Sequence, residues 1–158
     1  MPIQLNHTIA GSRDAIAGAR FLTEVLGLPE ATRFGPFHVV EVSNGVSIDF
    51  MDYGRDADIP GIHYAFLVTE DEFDQVWGRI KERGLDFWAD PHAERKGEIN
   101  HNDGGRGLYW QHPDGHWLEI ITRPYGSGGQ RLQQSAHSRI GCTDRRADRT
   151  SEVPFGAA

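Results

Sequence analysis

The chain has 158 residues, 38% hydrophobic and 25% charged, with a formal net charge of -7. That length suits one compact domain or two small packed halves, and the acidic balance excludes nucleic acid as the main partner, because phosphate binding needs a basic face. No run reaches membrane-spanning length, the opening MPIQLNHTIA lacks a basic segment followed by an apolar one, and the lone Cys142 makes no internal disulfide, so a soluble protein of the reducing cytoplasm is expected.

Ile3 to Ala10 reads as a strand carrying His7. The spacing of Ala15, Ala19, Leu22 and Leu26 predicts a helix over Arg13 to Leu26, with Ser12 as its N-cap and Gly27 just past its end. His38 to Val42 and Val46 to Met51 are predicted strands around the turn Asn44-Gly45, and the Asp/Gly/Pro linker Tyr53 to Pro60 follows. Gly61 to Thr69 (GIHYAFLVT) is a strand holding His63. Glu70 to Arg83 is a helix with the apolar stripe Phe73, Val76, Trp77 and Ile80 and with Gly84 at its end. Pro91 to Arg106, polar and rich in Gly, His and Asn, reads as a long loop. Leu108 to Ile121 reads as a hairpin, in which Asp114-Gly115 predicts a two-residue type I′ turn with His112 and His116 exposed at its flanks. From Gly126 on, GSGGQ reads as a flexible linker and the remainder of residues 126–158 as disordered.

The chain says much the same thing twice. His7 precedes Gly27 by the same interval, to within one residue, as His63 precedes Gly84, and a leucine follows each glycine. NGVSIDF (44–50) lies on DGHWLEI (114–120), turn on turn, so that Asp49 falls on Glu119. Each half is then strand, helix and three strands, and the Pro91–Arg106 loop is the insertion that lengthens the second. Copies of a supersecondary unit persist because each buries its face against the other. Strand alternation can turn His7, Asp49, His63 and Glu119 each toward one face of its sheet.

Glu119 poses the question of function. It sits between Leu118 and Ile120 in an apolar strand, where a carboxylate needs a partner for its charge. Taken singly, Glu119 could pair with Arg106 or Arg123, Asp49 with a neighbouring strand, and His7 and His63 could be ordinary hydrogen-bonded strand residues. Taken together at repeat-related positions, two imidazoles and one or two carboxylates make a divalent transition-metal site with open positions, suited to Fe(II), Mn(II), Ni(II), Co(II) or Zn(II). The metal ligands are then His7, His63 and Glu119, with Asp49 a fourth ligand or a base. His101, Asn102 and Asp103 could form a lid and proton shuttle or simply a solvated loop, and Tyr109, Trp110 and Trp117 could line an aromatic cavity or pack in the core. Cys142 has no base partner that would make it a catalytic thiol.

LNHTIAGSRD followed by VLGLP, then IHYAFLV, then GLYWQHPDGHWLEIITRPYG carry a resemblance. Over residues 3–125 the chain resembles the vicinal oxygen chelate superfamily, the glyoxalase/bleomycin-resistance/extradiol-dioxygenase group. The resemblance implies an α+β fold: two βαβββ modules, about 1–53 and 61–125, forming a cupped mixed sheet around a central site. It also implies a divalent metal on His7, His63 and Glu119, a small-molecule substrate presenting adjacent oxygens, and a homodimer whose modules in some members exchange between chains. Asp49 stands where glyoxalase I-like members have a glutamate ligand, which implies a three-ligand site as in extradiol dioxygenases and fosfomycin-resistance thiol transferases; among enzymes a ring-cleaving dioxygenase is ranked above a glyoxalase-like lyase or isomerase. The additional catalytic His and Tyr of extradiol enzymes have His101, Tyr109 and Tyr125 as candidates. The competing expectation is a metal-free protein that sequesters a planar or hydrophobic compound.

Overall fold

A computed structural model describes residues 3–128; Cys142 and most of the predicted disordered segment lie outside them. The first half runs β1 (His7–Ser12), α1 (Ala15–Leu26), β2 (Thr32–Phe34), β3 (Phe37–Glu41) and β4 (Ser47–Asp52). The second runs β5 (His63–Leu67), α2 (Glu70–Glu82), β6 (Phe87–Trp88), β7 (Gly107–Gln111) and β8 (Trp117–Ile121). Each half builds a four-stranded mixed sheet in the same spatial order, β1-β4-β3-β2 and β5-β8-β7-β6. In both, the first strand runs parallel to the last and the remaining neighbours run antiparallel. The chain thus adopts the expected α+β fold of two βαβββ modules. Among the described residues no helix is long and apolar enough to cross a membrane.

Alternation along the strands sends one face of each sheet to a shared core. Ala10, Val40, Ile48 and Phe50 from the first sheet and Leu108, Trp110, Leu118 and Ile120 from the second are buried with Leu22 and Val25 of α1 and Phe73, Val76 and Ile80 of α2. Each large apolar side chain withdrawn from water contributes about 1.5–3 kcal/mol. Trp110 belongs to this core and not to a substrate cavity, because its neighbour Tyr109 has taken the opposite face.

Both helices begin on side-chain caps. Thr69 and Glu72 form a reciprocal capping box at the start of α2. At α1 the cap is Asp14, which accepts from the Ala17 N–H at 3.0 Å, and not the predicted Ser12. Ser12 is still extended, paired across from Asp52, and its hydroxyl donates instead to Asp114 Oδ2 of the other half at 2.5 Å.

The β7–β8 turn also differs from the expectation. A two-residue turn on Asp114-Gly115 would need an N–H from Pro113 to pair with His116, and proline has none. The loop instead takes three residues, Pro113-Asp114-Gly115. The Gly115 N–H donates to His112 O, the His112 N–H donates to His116 O, and only Gly115, at φ 92°, enters the left-handed region. Val42 to Val46 repeats the same pair of hydrogen bonds around Gly45.

His112 and His116, predicted to be exposed, are 2% and 1% accessible. The loop inserts between the halves, where each imidazole satisfies both of its nitrogens with backbone groups. His116 Nε2–H donates to Gly11 O at 2.8 Å while Nδ1 accepts from the Ile62 N–H; His112 Nε2–H donates to Gly18 O at 3.0 Å while Nδ1 accepts from the Asp114 N–H. Burial pushes the His112 pKa down, against the weaker upward pull of the Gly18 carbonyl and Asp114.

Candidate functional site

Register places the predicted residues. Across the second sheet Ala65 stands opposite Glu119, and Glu119 opposite Tyr109; His63 stands opposite Trp117. Residues directly opposite, or two apart on one strand, share a face, so His63, Glu119, Tyr109 and Trp117 all project from the face away from the core. The first sheet repeats the plan, with His7 opposite Ser47 and Ile9 opposite Asp49. The sequence alignment of His7 with His63 and of Asp49 with Glu119 is therefore also the alignment in space.

Glu119 is fully buried, and its partners are now visible. His63 Nε2 lies 3.0 Å from Oε2, and the Tyr125 hydroxyl donates to Oε1. With that proton committed, Tyr109 donates to the Tyr125 oxygen at 2.7 Å, which makes a directed row from Tyr109 through Tyr125 to the carboxylate. Burial first, and then the hydrogen bonds to Tyr125 and Glu119, hold the Tyr109 phenol far above its ordinary range. Tyr125 is raised for the same reasons, burial and the Glu119 carboxylate. Both therefore stay protonated donors at neutral pH. Neither arginine considered for Glu119 reaches it. Arg106 is engaged by Glu70 and Asp74, each at 2.6 Å, with its guanidinium 4.4 Å from the Phe73 ring centre.

The other predicted residues lie apart from this cluster. His7 is exposed and bonds through Nδ1 to Asn6 Oδ1 at 2.8 Å. Asp49 accepts from the Ser47 hydroxyl at 2.7 Å. His101 is exposed at the start of a single helical turn, Asn102–Gly104, whereas Asn102 and Asp103 border a depression beside Tyr125 and Arg123. Among the described residues no three His, Cys, Asp or Glu side chains converge on one point. The donor chemistry of the pair that does meet still fits a divalent cation: one imidazole nitrogen and one carboxylate oxygen lie side by side. The His63 side chain is 44% exposed, so that side is open to further ligands.

Tyr125 is the residue that sequence reasoning underweighted. Its signal was the TRPYG stretch just beyond the last strand, and nothing in strand periodicity says that such a residue turns back onto Glu119.

Comparison with known proteins agrees with the fold. Residues 4–120 match the model of the Glyoxalase/Bleomycin resistance protein/Dioxygenase superfamily. A solved structure described as "Oxidase ChaP-H2" is 58% identical, covering 82% of this chain and 100% of its own, with a TM-score of 0.78. A second, "Oxidase ChaP-H1", is 59% identical over 79% of this chain and 99% of its own, with a TM-score of 0.76. A curated relative, "Glutathione transferase FosA" of Serratia marcescens, is 33% identical over 58 residues, 37% of this chain and only 34% of that protein's length. The chain belongs to the Glyoxalase/Bleomycin resistance protein/Dioxygenase superfamily.

Proposed function

We propose that the chain is a divalent-metal-dependent oxidative enzyme that binds a small, aromatic-bearing substrate through adjacent oxygens. The observation that carries this reading is the fully buried Glu119 beside His63 Nε2, on a sheet face where His63 and Ala65 are open to solvent. His63 and Glu119 would hold the cation, and His7 is the third ligand. Fe(II) is the first choice, with Mn(II), Ni(II) or Zn(II) as alternatives. When bound, the cation would supply Lewis-acid stabilisation of a deprotonated substrate oxygen and, as Fe(II), redox chemistry for an oxidation by dioxygen. The two oxidases at 58% and 59% identity favour oxygen chemistry over a lyase or isomerase reaction.

The chain's own residues have distinct tasks in this reading. Glu119, held from one side by the Tyr125 hydroxyl, would present its other oxygen to the metal, whose charge would balance the carboxylate in an apolar strand. The Tyr109–Tyr125 row ends on Glu119, and Tyr125, 52% exposed beside the open side of the site, can still accept a hydrogen bond from a protonated substrate hydroxyl. Trp117 and Trp88, edge to face at 5.4 Å on the same sheet, offer flat apolar surface to an aromatic ring.

His7 comes from a second copy of the chain. Its position on the first sheet is the counterpart of His63 on the second, and both outer faces carry exposed apolar residues, Ile9 at 40% and Leu67 at 62%. Pairing the first half of one chain with the second half of another covers both faces and completes the ligand set twice, by two-fold symmetry.

Metal analysis of gently purified protein tests the proposal. About one transition metal per chain, lost in Glu119→Ala, is expected. A protein that takes up no metal even on titration is instead a sequestering protein, with His63 and Tyr125 the permanent partners of Glu119.

A further inference from the structure

The chain after β8 is held by a residue that belongs to neither the ligand set nor the tyrosine row. Asp103 lies in the insertion that lengthens the second half, with its backbone in the left-handed region (φ 55°, ψ 20°), an uncommon conformation for a residue with a side chain. From there its two carboxylate oxygens accept from two separate backbone N–H groups, Oδ2 from Gly126 at 3.1 Å and Oδ1 from Gly128 at 3.0 Å. The fit is close: a Cβ at Gly128 would lie 2.7 Å from Asp103 Cα. The two segments are joined again one step back, where the Arg106 N–H donates to Thr122 Oγ1 at 2.8 Å and the Thr122 N–H to Arg106 O at 2.9 Å. Between these two attachments stands Tyr125.

We propose that Asp103 is a positioning residue for the site, acting through the Gly126–Gly128 turn to keep the Tyr125 hydroxyl on Glu119. The need for such a clamp follows from exposure. Tyr125 lies outside every strand and is half exposed, so little apolar packing fixes its ring, and an unanchored backbone there has several conformations to choose from. Two charge-assisted hydrogen bonds, to the backbone N–H groups of Gly126 and Gly128, remove that freedom at the residues that follow it. Gly126 to Gly128, which by composition alone belong to a flexible linker, are thereby held in place. The inference rests on the metal reading only for its consequence, ligand orientation; the clamp itself does not require a metal.

Two double-mutant cycles of Asp103→Ala and Tyr125→Phe test it. The first follows urea unfolding of the metal-free protein. The expected result is coupling: Tyr125→Phe lowers the midpoint in the parent chain and lowers it much less once Asp103 is gone. The second follows Co(II) affinity by competition with a chelator, together with the Co(II) ligand-field absorption. Each single variant is expected to weaken Co(II) roughly 10-fold, the range for losing a group that orients a ligand. The double variant is expected to be no weaker than the worse single one, and Asp103→Asn, which keeps one acceptor and tolerates the left-handed backbone, to recover part of the loss. Losses that simply add in both cycles, or an Asp103→Ala chain indistinguishable from the parent, overturn the proposal and leave Asp103 a loop residue. If the parent chain binds no Co(II), the metal reading fails while the unfolding cycle still decides the clamp.

Discussion

Asp49 and Glu119 hold the same place in two copies of one sheet. Asp49 stands opposite Ile9 on its parallel neighbour and Val39 on its antiparallel one, and Glu119 stands opposite Ala65 and Tyr109 in the same sense. The copies have diverged around the carboxylate. Where Tyr109 helps build the row that ends on Glu119, the Val39 side chain has nothing to donate, and among the described residues Asp49 is met only by the Ser47 hydroxyl. Asp49 is also a methylene shorter. We therefore expect Asp49→Ala to retain metal at close to the parental stoichiometry and Glu119→Ala to lose it, read by elemental analysis of the two variants purified side by side. Equal losses would make Asp49 a fourth ligand.

Exchange of halves between chains makes a prediction that no single-chain site can meet. His7→Ala and Glu119→Ala chains each lack every complete ligand set. Unfolded and refolded together, half-and-half dimers regain one intact set, so that about a quarter of the sites is expected to bind metal. Recovery of none places all the ligands within one chain.

His112 gives the fold an acid-sensitive point. Its folded pKa lies below the ordinary value near 6.5, so between the two the unfolded chain binds more protons. The stability from keeping this imidazole neutral is present in full above about pH 6.5 and is lost as pH falls toward the folded pKa. Asp114, 3.5 Å from Nδ1, opposes the shift, and His116 adds to it. Urea midpoints of the parent chain are expected to fall more steeply between about pH 7 and 5 than those of His112→Gln, which does not titrate there. Parallel curves would mean that His112 is not the responsible group.

His116→Ala is expected to destabilise the protein by about 2–5 kcal/mol, since it leaves the Gly11 carbonyl and the Ile62 N–H unpaired in a closed interface and opens a cavity beside Tyr64. His116→Asn is expected to cost less, because a single amide can still meet one of the two. Chemical denaturation of the metal-free chains measures both.

Much of this architecture was legible in the sequence for identifiable reasons. Period-two and helical patterns are local, so the two helices and six of the strands stood out, and the repeat supplied the pairing of Asp49 with Glu119 without any coordinates. β2 and β6, three and two residues long, are too short to carry a period. The errors share a cause. Ser12, His112 and His116 are polar residues next to turns, which normally face water, and here each is claimed by a group from the other half of the chain. Asp103 and Tyr125 stand out in the sequence as candidates, but their contacts were not foreseeable, because a contact between an insertion loop and the residues beyond the last strand leaves no local pattern.

The Pro113–Gly115 loop has a mechanical consequence. His116, locked to Gly11 of the first half, immediately precedes the strand that carries Glu119. The carboxylate is thus mounted on a short lever whose fulcrum is in the opposite half. Any displacement of Gly11 would therefore reach the floor of the site through three residues of strand, without passing through the peptide link at 53–60.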